Sequence, residues 1–130
     1  MYGFSEHVGE LEMWVRAASE EEVFGESARA LAEVLDDGSG GAAEAREIAV
    51  RGTDRPALLA EWLEELAFLA ETEGFVPERV EEVVLGEDAV RARVAGHHGS
   101  PPHLVKAVTY HRLAFERGPD GWLARAVLDV

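Results

Sequence analysis

From residue 10 to residue 17 apolar and polar positions alternate. Leu11, Met13, Val15 and Ala17 fall on one side, and Glu10, Glu12 and Arg16 on the other with Trp14. A period of two marks a half-buried strand, here the second of the chain. Ser19-Glu20-Glu21-Glu22 then reads as a capping box, with acids in the first turn where the helix dipole favours them. Phe24, Ala28, Leu31, Val34 and Leu35 follow at helical spacing until Asp37-Gly38 stops the helix. Ile48 and Val50 mark a short strand. A second helix is predicted from Thr53 or Asp54, with Pro56 tolerated in its first turn. Leu58, Leu59, Trp62, Leu63, Leu66, Leu69 and Ala70 form its apolar stripe, with Glu61, Glu64, Glu65 and Glu71 largely off it and Gly74 at its end.

Everything afterwards reads as strand. Segments 80–85 and 89–95 flank Gly86-Glu87-Asp88, and segments 104–116 and 122–130 flank Gly118-Pro119-Asp120-Gly121. Both intervening stretches carry turn formers. The order β-β-α-β-α-β-β-β-β argues an α+β fold, two helices packed on a mixed, mostly antiparallel sheet. Segments 36–41 and 96–102 are rich in Gly, Ser and Pro and read as loops inside one domain spanning residues 1–130.

Composition narrows the function classes. With 47% hydrophobic residues in 130, the chain can build a core without staples. It has no cysteine, which excludes disulfides, a zinc ribbon and a cysteine nucleophile, and fits a reducing compartment. Residues 1–7 lack the basic start and apolar run of a secretory signal, and no stretch approaches the ~20 apolar residues that span a bilayer. A cytoplasmic protein without a membrane partner is expected. Twelve Lys+Arg stand against 26 Asp+Glu, a net charge of −14, and Lys106 is the single lysine. A protein that grips nucleic acid needs a basic surface, so no stable nucleic-acid binding is expected. The acidity suits a basic protein or a cation. Taken alone, it is more simply a device for solubility.

Motifs for nucleotide loops and nucleophile elbows are absent. Ser5, Ser19, Ser27, Ser39 and Ser100 fall at caps or turns, so a serine hydrolase is not expected. His7, His97, His98, His103 and His111 form no metal-binding pair. His97 and His98 are adjacent and cannot face one site from a regular strand. Loop histidines are expected to be solvated rather than zinc ligands. The carboxylates offer more. Glu10 opens the second strand, Asp129 is penultimate, and the Val130 α-carboxylate lies one residue further. Together they would make an oxygen-only cluster suited to Ca²⁺, Mg²⁺ or Mn²⁺. An ordinary solvated terminal strand is the plainer alternative, because chain ends fray. Lys106 is suited to neutralise such a cluster or to meet a phosphate, or else forms a surface ion pair.

Four elements together resemble the archease family over nearly the whole chain. They are Glu6-His7-Val8-Gly9-Glu10, Trp62-Leu63-Glu64-Glu65-Leu66 with Leu69 and Glu73-Gly74, Val105-Lys106-Ala107-Val108-Thr109-Tyr110-His111, and Val127-Leu128-Asp129-Val130. The unbroken lysine-containing strand is the most specific. The front departs from the family pattern: Glu10 is one methylene longer than the usual aspartate, and Glu12 replaces a glycine. The resemblance implies an accessory protein, not itself an enzyme, that serves RtcB-type RNA ligases in tRNA splicing and RNA repair. Such proteins promote guanylylation of the ligase and its multiple turnover. It further implies a divalent cation, Ca²⁺ ahead of Mg²⁺ or Mn²⁺, on Glu10, Asp129 and Val130, and an accessory role for Lys106 at the ligase site. A metal-dependent hydrolase using the same acids and a chaperone-like protein-binding module stay open as alternatives.

Overall fold

The computed structural model describes the chain apart from Asp37, Ser39 and His103. The helix stop at Asp37, the turn at Ser39 and the loop histidine His103 therefore lie outside the described residues. The elements run β1 (Tyr2–His7), β2 (Glu10–Ala17), α1 (Glu20–Leu35), β3 (Ala43–Arg51), α2 (Arg55–Glu73), β4 (Phe75–Leu85), β5 (Ala89–His98), β6 (Ala107–Gly118) and β7 (Gly121–Asp129). This is the predicted order. The strands divide between a four-stranded sheet, β1-β2-β7-β6, and a three-stranded one, β3-β5-β4, and every pairing is antiparallel.

Two sheets in place of one follow from how apolar the helices are. Leu58, Leu59, Ala60, Trp62, Leu63, Leu66, Ala67, Leu69 and Ala70 of α2 are all buried, more than a single stripe supplies. A helix apolar over most of its circumference needs cover on more than one side. Accordingly α2 lies against β6 of one sheet and β3 and β4 of the other, while α1 bridges β2 and β4. Inside, the Trp62 indole N–H donates to the Phe24 carbonyl at 3.1 Å and ties the helices together. No described helix is long and apolar enough to cross a membrane.

The helix ends follow local chemistry. Ser19 Oγ accepts the Glu22 amide at 3.2 Å, and Glu22 reaches back to the Ala18 amide, one residue ahead of a standard capping box. Asp54 Oδ1 accepts the Ala57 amide at 2.8 Å to start α2. Gly74, at φ 67°, ends α2 in a left-handed cap.

Strand boundaries differ from the prediction at β3, which spans Ala43–Arg51, at β6, which begins at Ala107 and leaves Leu104, Val105 and Lys106 outside it, and at β4 and β5. β4 begins at Phe75, earlier than the predicted 80, and contains Pro77. Proline is tolerated because β4 is an edge strand with register shifts around residues 77–82. β5 continues to His98, so Gly96, His97 and His98 belong to the ladder and not to a loop. A side chain at Gly96 would collide with the Val76 carbonyl and the Phe75 ring, so glycine permits close pairing there. His97 is only 5% exposed, its ring held against Glu78 of β4. The expectation of a solvated His97 is corrected.

Candidate functional site

Strands β2 and β7 bring the first and last predicted carboxylates together. Glu10 stands directly opposite Asp129, and Ala107 of β6 flanks Asp129 on the other side. Directly opposed residues present side chains to one face. The next row, Leu11–Leu128–Val108, faces the core, so the carboxylates share the outer face. Glu10 is exposed and Asp129 half-buried.

The end of the chain is held on both sides. β7 is an interior strand. The Asp129 carbonyl accepts the Lys106 amide at 2.8 Å, and the Val130 amide donates to the Gly9 carbonyl at 3.2 Å. Gly9 occupies the two-residue turn between β1 and β2 with φ 73°, a conformation that favours glycine. A terminus bonded to both neighbours does not have the freedom of a fraying end.

Among the described residues neither Glu10 nor Asp129 has an ion-pair partner. Like charges directly opposite each other are unfavourable. A hard cation held by carboxylate oxygens offsets that repulsion, so the donor set fits Ca²⁺, Mg²⁺ or Mn²⁺. No three described His, Asp or Glu side chains form a ligand group by themselves. The third donor of the expected set is the main-chain carboxylate of Val130, not a side chain.

Lys106 joins this end through its backbone, while its residue lines a different feature. It borders a recess of about 360 Å³ against α2, with Glu61, Glu64, Glu65, Phe68 and Glu71. Lys106 lies just ahead of β6, exposed between buried Val105 and exposed Ala107, and Ala107 borders the same recess. Lys106 has no ion-pair partner among the described residues. Tyr110, further along β6, is exposed. Desolvation and then the negative fields of Glu61, Glu64 and Asp54 push its phenol above the ordinary value.

The sequence reading missed a charged cluster beside the carboxylates. Glu12, two residues along the same face, is 8% exposed, and its Oε1 lies 3.0 Å from Arg112 Nη2 and 3.9 Å from Arg125 Nε. Those distances give charge pairing, though neither N–H is aligned as a hydrogen bond to that oxygen. Arg125 Nε donates instead to the Arg112 carbonyl at 3.0 Å. The only signal for this cluster in the sequence was the polar phase of Glu12. His7, His98 and His111 are exposed.

The chain's relatives agree with this architecture. The profile of the Archease protein family (MTH1598/TM1083) matches residues 2–130. Protein archease of Methanosarcina acetivorans is 33% identical, over 99% of this chain and 95% of the relative. Protein archease of Archaeoglobus fulgidus is 32% identical, over 99% and 98%. Among solved structures, the solution structure of Methanobacterium thermoautotrophicum protein 1598 superposes with a TM-score of 0.77 at 27% identity, over 99% of this chain and 98% of that one. The Thermotoga maritima structure described as an archease, possible chaperone, shares the fold with a TM-score of 0.64 at 23% identity, over 97% and 94%. A full-length profile match, relatives above 30% identity along nearly their whole length and the shared fold make the chain a member of the archease family.

Proposed function

We propose that this protein is an accessory activator of an RtcB-type RNA ligase in the cytoplasm, promoting the ligase's guanylylation and multiple turnover without being an enzyme itself. The observation that carries the reading is the pairing of Glu10 with Asp129 at a tethered chain end, in a member of the archease family. Glu10, Asp129 and the Val130 α-carboxylate would hold a divalent cation, Ca²⁺ first. Such an ion supplies positive charge for phosphate oxygens. The chain's own contribution is to keep the carboxylates together on an open face and to present Lys106 from the segment leading into β6. Val8 at the tip of the neighbouring turn is fully exposed and gives this end an apolar contact for a protein partner. A hydrolase using the same acids finds less support, because exposed Glu10 is not in an enclosed site.

The test is ligase guanylylation under multiple-turnover conditions, with and without this protein. Changes even to groups behind metal ligands cost 10–100-fold, so Asp129→Ala or Glu10→Ala is expected to lower the stimulation by at least roughly tenfold. Stimulation equal to wild type by Asp129→Ala rejects the cation mechanism. No stimulation by the wild-type chain rejects the activator reading itself.

A further inference from the structure

His97 is the most deeply buried ionisable side chain among those whose hydrogen bonding is incomplete. Its Nδ1 lies 2.7 Å from Glu78 Oε1, whereas Nε2 has no hydrogen-bond partner among the described residues. Asp36 Oδ1 lies 3.9 Å from Nε2, beyond hydrogen-bond reach. Both carboxylates border a recess of about 460 Å³ that also takes in Glu33, Tyr2 and Arg29. Three carboxylates against one guanidinium give it a negative balance.

A buried polar nitrogen without a partner calls for an occupant. Glu78 determines which kind. With Nδ1–H donated to its carboxylate, the imidazole presents the Nε2 lone pair, the orientation found in metal-binding histidines backed by a carboxylate. A lone pair within a negative recess selects a cation, and an imidazole donor favours Zn²⁺, Co²⁺, Ni²⁺ or Cu²⁺ over Ca²⁺ and Mg²⁺. We infer that His97 Nε2 and Asp36 form a second cation site for a first-row transition dication such as Zn²⁺, with water completing the coordination and Glu78 orienting the ring. Donors on a tetrahedral zinc are about 3.3 Å apart. Asp36 is an exposed helix cap whose Oδ1 accepts the Gly38 amide at 2.9 Å, so closing the remaining gap takes a small movement of that cap. The site belongs to the three-stranded sheet and α1, whereas Glu10 and Asp129 belong to the other sheet. It is therefore independent of the ligase reading.

The experiment is calorimetric titration of the chelator-treated full chain with Zn²⁺, carried out on Asp129→Ala so that the first set of carboxylates is broken. One equivalent is expected to bind. Adding His97→Gln or Asp36→Asn is expected to weaken binding at least tenfold, and the His97 ring NMR signals should shift as that equivalent is added. Asp36→Asn sits on an exposed cap, so the test survives if His97→Gln fails to fold. Unchanged zinc affinity in Asp36→Asn, or unmoved His97 ring signals, overturns the proposal. Either result assigns the zinc to exposed His7, His98 or His111, or leaves His97 as a member of a purely structural polar cluster.

Discussion

Glu26 shows how a single residue ties two elements. Its Oε2 receives the Met1 ammonium at 2.6 Å and its Oε1 the Arg29 guanidinium at 3.0 Å, so β1 is tied to α1 through one carboxylate. Desolvation pushes the carboxyl up, but the two cations together outweigh it and hold the group below its ordinary value of 4.5. A lowered folded-state value means that the carboxylate stabilises the fold above the unfolded value. The contribution is lost as pH falls through the lower, folded one. The stability difference between wild type and Glu26→Gln is therefore expected to be full near neutrality and to shrink below about pH 4.5, vanishing at more acid pH. Urea unfolding of both proteins at a series of pH values measures it, and a difference that grows with acid contradicts this reading.

At the scale of the element, β6 is the instructive case. Its pairing with β7 jumps between Thr109 and Ala114, leaving residues 110–113 opposite Ala126 alone. Within this bulge Arg112 has φ 59°, a left-handed conformation that costs a non-glycine residue on the order of 1 kcal/mol. The gain is that Arg112 meets Glu12, whose carboxylate is otherwise nearly shut away from water. Arg112→Ala keeps the strained backbone and strands the acid, with an expected loss of about 1–2 kcal/mol, reduced because Arg112 itself is half exposed. Arg112→Gly should lose about 1 kcal/mol less, because glycine relieves the backbone. Glu12→Gln combined with Arg112→Ala should recover much of the loss, a coupling that urea midpoints of the four proteins measure. Little of this was legible beforehand. Alternation at residues 10–17 and the caps at Ser19, Asp54 and Gly74 are local signals, and each appeared where the sequence predicted. The bulge, the division into two sheets and the burial of His97 depend on partners distant in sequence, which no local period encodes. The Glu10–Asp129 pairing is equally non-local. The residues raised the cluster as one reading and the family resemblance gave it its role, while its register and the tether at Val130 came only with the fold.

For the molecule as a whole, a net charge of −14 makes repulsion a general term and Glu10–Asp129 a concentrated instance of it. The two scales separate experimentally. Sodium chloride screens the general term, so the thermal midpoint should rise with ionic strength in every variant. Calcium at about 100 times its dissociation constant adds about 2.7 kcal/mol to a site that exists only in the folded chain, on the order of 5–10 °C at this size. That increment, measured at matched ionic strength, should disappear in Glu10→Gln and in Asp129→Asn, while the sodium response stays. The sign reverses without the cation. Removing one of two opposed carboxylates that have no counter-charge among the described residues should then stabilise the protein by a few tenths to about 1 kcal/mol. A Glu10→Gln chain that is less stable than wild type in chelator would mean that Glu10 already makes a favourable contact with the protein, and would leave no reason for the pair to recruit an ion. A midpoint raised in chelator and insensitive to calcium identifies the facing carboxylates as a site that gives up stability for binding.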